Sequence, residues 1–345
     1  KLRFFISLIL DQKVDKDNPE NFGILPLPNL ETKFISANAL IGLEKPTQKS
    51  LRNPEIEKLE QELKFLRHRY FRIKSRAEKI QLQNKDKELR EKLKNALIND
   101  GWNDKVAEKI ANFDIFDQNA SADWFDPEWM FGVVDGFDIV IGNPPYVRQE
   151  FIKDKDLIIN SISKCFVEND KSLVKINRRS DLYIYFYYKG LSFLKTSGVL
   201  CYISSNSWLD VEFGAEFQEF LLKYMHPLMI VDNVAERSFD AGINTVIVLI
   251  KRPERINLDD IIKFVVFKKP FDEILNSEIL KVVRHTNDKV IAEDFRVIPK
   301  TRKELWIEGI EIEDDEIKEK YLWNYKYIGN KWGGKYLRAP EIFFK

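Results

Sequence analysis

Alternation governs the sequence from Phe137 to Phe267. Apolar runs of strand length stand at FDIVIG (from Phe137), VLCYIS (from Val199), LMIVDNV (from Leu228), TVIVLIK (from Thr245) and IIKFVVF (from Ile261). Between them lie two helical stretches, DLYIYFYYKGLSFL and EFQEFLLKYM; Lys195-Thr196-Ser197-Gly198 turns the first into its following strand. Helix and strand in this order predict an α/β fold of the doubly wound kind. FDIVIG is apolar on both faces, which predicts a strand at the centre of a helix-covered sheet.

That strand ends abruptly in Asn143-Pro144-Pro145-Tyr146. Two prolines neither continue a ladder nor donate to it, and each pushes the residue before it to extended geometry. A tight turn is the plain explanation of an Asn-Pro pair. Average residue usage nevertheless makes a chance Asn-Pro-Pro-Tyr rare, on the order of one in a thousand for a chain this long. Ligands of open α/β sheets also sit outside the carboxyl ends of the strands, where this corner lies. Asn143 supplies a neutral amide oxygen and Pro144 a carbonyl whose direction the rings lock. Two such acceptors suit an NH₂ group with two donors. The exocyclic amine of a purine is a poor nucleophile because its lone pair spreads into the ring. Accepting both its hydrogens draws the nitrogen toward tetrahedral geometry and returns electron density to it. Tyr146 offers a face for a planar heterocycle, worth roughly 1–3 kcal/mol per stacked base. No strong base stands here, and none is needed against a cationic sulfonium methyl donor. The corner reads as an aminopurine pocket.

The rest of the chain frames this corner. KLRFFISLIL opens as the middle of an amphipathic helix with no start signal, like a piece of something longer. In LPNLETKFISANALIGL a short strand, Lys33 to Ile35, is expected to run into Ser36-Ala37-Asn38. Ile56, Leu59, Leu63, Leu66, Tyr70, Ile73, Ala77 and Ile80 then repeat at heptad spacing, and Leu89, Leu93 and Ala96 resume after a break near Asn84. These predict a helical arm, Pro54 to about Ala111, inserted between two strands. Residues 51–100 carry 14 Lys/Arg against 9 Asp/Glu, which reads as a solvated charged face, with a DNA-contacting rib as the alternative. Beyond Pro299 the alternation fades. An acidic run from Glu308 to Glu319 precedes KYLWNYKYIGNKWGGKYLRAPEIFFK, which reads as the start of another domain, poorly packed by itself.

Composition narrows the rest. Lys+Arg and Asp+Glu both number 55, so attraction to a polyanion must come from local clustering. Cys165 and Cys201 make neither a disulfide framework nor a zinc spacing, which fits a reducing cytoplasm. His68, His226 and His285 stand far apart, and no metal site is expected. No stretch reaches the apolar length of a membrane helix.

IGNPPYVRQE resembles the catalytic loop of the adenine-specific N6 DNA methyltransferases, in particular those of type IIG restriction–modification and related phage-defence enzymes. LPNLETKFISANALIGL, GFDIVIGNPPYVRQE, SDLYIYFYYKGLSFLKTSGVLCYISSNSWLD and ERSFDAGINTVIVLIKR follow that family's order, and GGKYLRAPEIFF is similar to the entry of its target recognition domain. The resemblance implies a partial Rossmann-like, S-adenosylmethionine-dependent methyltransferase sheet over residues 1–300, with the helical arm inserted. Residues 301–345 would begin the recognition domain. It implies that Asn143 and Pro144 accept from the target amine and that Tyr146 stacks on its ring. Phe239 falls where the family has an aromatic on the base's other side. Asn38 falls where relatives hold the cofactor adenine, often with an acidic residue, and Pro145 lines the cofactor side. The partner would be duplex DNA with a specific sequence, from which the base is extruded because its amine is unreachable inside the stack. The family's glycine loop and acidic ribose ligand, expected before these motifs, have no counterpart in the chain, so the 345 residues alone are expected to be an inactive fragment that neither binds the cofactor measurably nor methylates DNA. Two alternatives remain: a protein glutamine N-methyltransferase, which shares the four-residue loop, and a non-catalytic DNA-binding specificity module.

Overall fold

A computed structural model describes residues 2–44, 53–236, 243–311 and 319–338. The chain forms two compact units, Lys1–Val134 and Asp135–Lys345. The first begins with helix α1 (Leu2–Leu10) and holds β1 (Ser36–Ala37), which pairs in parallel with β2 (Ser121–Ala122). The strand therefore starts at Ser36 rather than at the expected Lys33, because Glu31–Lys33 closes a 3₁₀ turn instead. Between β1 and β2 rise α2 (Pro54–Tyr70), α3 (Arg76–Asn99) and α4 (Asp104–Asn112), the predicted arm; α5 (Pro127–Phe131) follows β2.

Ile56, Leu59, Leu63, Leu66 and Tyr70 are buried as the heptads require, and pack with Leu89, Leu93 and Leu97. The seam then stops. Ile80 is exposed, and the helix breaks after Tyr70 rather than near Asn84, which lies inside continuous α3. The cause is local. The Nδ2 of buried Asn29 donates to the carbonyls of Tyr70 (2.8 Å) and Ile73 (2.6 Å), satisfying orphaned acceptors where α2 ends. Ser75 then caps α3 by accepting from the Glu78 N–H at 3.4 Å.

The second unit is built on a seven-stranded sheet. Its elements in chain order are β3 (Phe137–Gly142), α6 (Lys155–Ser163), β4 (Val167–Glu168), β5 (Lys171–Ser172), α7 (Leu182–Ser192), β6 (Leu194–Ser205), α8 (Ala215–Tyr224), β7 (His226–Asn233), β8 (Thr245–Lys251) and β9 (Ile261–Phe267). There follow α9 (Phe271–Ile274), α10 (Ser277–His285), β10 (Val290–Ile291), β11 (Phe295–Thr301) and α11 (Arg302–Ile307). The strand order is β10-β11-β9-β7-β8-β6-β3. β3 runs parallel to β6 and β7 parallel to β9, while β8 lies antiparallel between β6 and β7. The carboxyl ends of β3, β6 and β7 thus share one edge of the sheet with the amino end of β8. This is an α/β sheet of Rossmann-like character, carrying the parallel strands and helical crossovers that the sequence pattern requires.

Two expectations are corrected. FDIVIG is an outer strand rather than a central one: β3 pairs only with β6 among the described residues, and Ile139 and Ile141 are 68% and 78% exposed. A strand apolar on both faces was read as a strand with two neighbours; the pattern reports faces, not edges. The tail is also better packed than expected. β11 runs through residue 300, and a capping box between Thr301 and Glu304 starts α11. Trp332 and Tyr336 are fully buried, Trp332 lying 5.9 Å from Trp208 and Tyr336 4.5 Å from Phe264 between ring centroids. Aromatic side chains spaced too irregularly to show a period still close the core of the sheet.

Candidate active site

The corner stands at the carboxyl end of β3, beside β6. Gly142 is opposite Tyr202 in the ladder, and a Cβ there would meet the Tyr202 ring at 3.1 Å. Gly190 of α7 makes room for the same ring's hydroxyl. Both glycines let the tyrosine fill the space under the corner, where burial pushes its hydroxyl up to about 12. Tyr187 packs on it at 5.3 Å and shares a 2.9 Å hydrogen bond with Ser204, so the floor is aromatic.

On that floor Pro144 is buried, Asn143 and Pro145 are exposed and Tyr146 is half-buried. The Val147 N–H donates to the Pro145 carbonyl at 3.1 Å, a three-residue turn that presents the Tyr146 ring. The Tyr146 hydroxyl reaches the Ile203 carbonyl of β6 at 3.4 Å, a long bond, and burial raises its pKa. It is a neutral phenol at physiological pH. The loop's next residues are tied down. Val147 accepts from the Leu182 N–H at 3.0 Å, and the Asp181 carboxylate accepts from the Gln149 N–H at 2.9 Å. Lys155 Nζ joins the Gln149 side chain (2.9 Å) to the Arg178 carbonyl (3.0 Å).

Asp181 carries information that the sequence hides. It stands where an N-cap of α7 would stand, yet makes no capping bond; its carboxylate holds the catalytic-side loop instead. Burial raises its pKa, against the Gln149 hydrogen bond that lowers it. Ser205 and Ser207, 2.8 Å apart at the end of β6, and Tyr183 beneath them form a second polar group at this edge. Burial first, and the Asp181 charge second, keep the Tyr183 hydroxyl protonated. Single serines in a loop give no spacing signal, so sequence reasoning had nothing to find them by.

The structure keeps Asn143, Pro144, Pro145 and Tyr146 in one loop. Asn38 belongs to the other unit: it follows β1, its N–H donates to the Ala122 carbonyl at 2.9 Å, and its Oδ1 accepts from the Leu40 N–H at 3.2 Å. Phe239 lies outside the described residues. No group of His, Cys, Asp and Glu that could hold a metal occurs among the described residues, and none of their helices is long and apolar enough to cross a membrane.

Comparison with known proteins decides the kinship. Residues 1–239 match the family model of the Eco57I restriction-modification methylase. The chain belongs to that family. Two curated relatives agree: the type II methyltransferase M.BstVI of Geobacillus stearothermophilus is 34% identical over 96 residues, covering 28% of this chain and 16% of that protein. The type II methyltransferase M.XhoI of Xanthomonas vasicola is 32% identical over 120 residues, covering 34% and 20%. The aligned parts are thus a small share of these relatives' length. Among solved structures, the type IIG restriction endonuclease BpuSI is 18% identical with a TM-score of 0.39, over 48% of this chain and 19% of that one. The type I restriction-modification methyltransferase subunit of Streptococcus thermophilus is 16% identical with a TM-score of 0.40, over 59% and 42%.

Proposed function

We propose that the chain belongs to an enzyme that methylates N6 of an adenine extruded from duplex DNA, with S-adenosylmethionine as donor, in a restriction–modification or phage-defence system. The observation that carries this reading is the corner itself: a carboxamide and a carbonyl with no hydrogen bond to another described residue, next to an aromatic face, at the carboxyl end of β3 in a member of this methylase family. Asn143 Oδ1 and the Pro144 carbonyl accept the two amine hydrogens, which raises electron density on nitrogen. Tyr146 holds the ring by stacking. The amine nitrogen would bond to the donor's methyl carbon as the carbon–sulfur bond breaks and a neutral thioether leaves, and its surplus proton would pass to water, since among the described residues no strong base is hydrogen-bonded to the loop.

S-adenosylmethionine, when bound, supplies an activated methyl group on a sulfonium. Among the predicted residues the fit is to its adenine end. Asn38 spends Oδ1 on the backbone of Leu40, so its Nδ2 is the group it can offer to a ring nitrogen. On this reading residues 1–300 carry the transfer chemistry, and residues 301–345 lead toward the part that reads the DNA sequence.

Expressing the gene that encodes this chain in a host without adenine methylases tests the reading. Mass spectrometry of its digested DNA should show N6-methyladenine, absent when Asn143→Ala is expressed at equal level. Methylated cytosine instead, or unmodified DNA, would overturn it.

A further inference from the structure

Two cations beside the corner make no close ion pair with a described residue, although the Arg148 charge acts favourably on the Asp181 carboxylate. Arg148 follows Tyr146 by two residues, and Arg179 lies two residues before the paired Asp181; both are exposed. Neither guanidinium forms an ion pair or hydrogen bond with a described side chain, in contrast to Arg178, which pairs with Asp156 at 2.6 Å. Exposed arginine is common and means little alone. What distinguishes these two is that the fold fixes their backbones together at the active corner. The Val147–Leu182 bond (3.0 Å) and the Gln149–Asp181 bond (2.9 Å) staple the segment after Tyr146 to the segment that carries Arg179. Lys155, with one proton on Gln149 Oε1 and another on the Arg178 carbonyl, braces the same junction. The turn before Arg179 is set as well, its N–H donating to Asn177 Oδ1 at 3.0 Å. Asp181 accepts from the Gln149 N–H and feels the Arg148 charge without a direct ion pair, and the other acid here, Glu150, is exposed.

A nucleotide swung out of a duplex stays joined to a phosphate on each side. Any group that grips those phosphates must stand within about a nucleotide's length of the pocket that receives the base. An arginine two residues from the stacking ring meets that condition, since two extended residues span at most about 7 Å. Its planar fork also suits two phosphate oxygens at once. We propose that Arg148 and Arg179 form a phosphate clamp that holds the DNA backbone flanking the extruded nucleotide. The proposal rests on the functional reading above, naming where the DNA strand lies against this site. The clamp carries no sequence preference, because phosphate contacts position and base contacts specify.

The test is DNA binding, so that it does not depend on which base is methylated. Affinity of the protein expressed from the whole gene for duplex DNA should be measured by fluorescence anisotropy against salt. For Arg148→Ala or Arg179→Ala the slope of log affinity against log salt should fall by about 0.9, and for the double variant by about 1.8. Arg148→Lys should keep the slope. A duplex with uncharged methylphosphonates flanking the target should bind the unsubstituted protein more weakly, with no further loss for the double variant. Matching thermal melts confirm that these exposed substitutions leave the fold intact. Unchanged slopes, additive losses on the methylphosphonate duplex, or no DNA binding by the unsubstituted protein would each overturn the clamp. If the clamp behaves as expected while the genomic DNA carries no N6-methyladenine, the functional reading fails and the clamp stands.

Discussion

At the residue scale, the proposed chemistry rests on the Asn143 side chain and the Pro144 carbonyl, which have no hydrogen-bond partner among the described residues. Asn143→Ala removes one of two acceptors on the amine, and the transfer rate should drop about 10²–10³-fold, by analogy with the loss of one preorganised donor from an oxyanion hole. DNA affinity should be nearly unchanged, since phosphates supply most of it. Tyr146 divides differently. Its hydroxyl makes one long bond to Ile203, so Tyr146→Phe should keep most activity, whereas Tyr146→Ala loses the stacking face. Equal damage from both in single-turnover assays would make the hydroxyl, not the ring, the working group. Asp181 supplies a pH test. Burial raises its folded pKa above the unfolded value, so its ionisation works against folding, and this contribution weakens stability as pH rises from below the unfolded pKa to above the folded one. Asp181→Asn keeps an acceptor for the Gln149 N–H without the charge. It should melt no lower than the unsubstituted protein at pH 7 and show a flatter stability profile between about pH 4 and 6. Asp181→Ala should melt lower, having left the loop donor unpaired. The stiff corner from Asn143 to Tyr146 was legible in the sequence because covalent rings set its geometry; the role of Asp181 in tying down the loop was not, because its partner is 32 residues away.

At the scale of elements, the helical arm shows which parts of a pattern can be read. The heptad positions of α2 were legible, since burial of one face imposes its own period. The break after Tyr70 was not, because it depends on Asn29, 41 residues earlier. Neither was the polar knot between α2 and α3. Asp86 is completely buried and accepts from Arg67 Nε and Arg90 Nε, each at 2.8 Å. In a sequence with so many charges nothing marks this one as internal. Removing it strands two arginines, so Asp86→Ala should destabilise the arm by about 3–5 kcal/mol, seen as early loss of helical circular dichroism on heating. An arm that melts unchanged would mean water reaches this site. Strand identities in the sheet came through well for the converse reason: Val246, Val248 and Ile250 of β8 alternate inward to 1% exposure or less, a local signal needing no distant partner.

At the scale of the molecule, the sheet is completed by residues far along the chain. Trp332 closes the space between Trp208 and Phe264, and Gln218 of α8 donates to the Asn330 carbonyl at 3.0 Å. Trp332→Ala should therefore cost the second unit about 3–5 kcal/mol, as other large core deletions do, and the loss should appear in chemical denaturation as one transition with the sheet. A separate, earlier transition would mean that the tail folds by itself. Order of strands and closure by the tail were the least legible features, because both depend on which surfaces meet rather than on what any one segment prefers.

The outer position of β3 has a consequence in the test tube. One side of the strand meets β6, the other has no strand partner among the described residues, and Ile139 and Ile141 are exposed. Such a margin is a template for strands from other molecules. The polypeptide should therefore behave as a sticky colloid: scattering from its solutions should climb with concentration and storage time, and Ile141→Lys, which seats a charge on that margin, should hold it down. What ends at the catalytic corner as a precise surface begins, a few residues earlier, as an adhesive one.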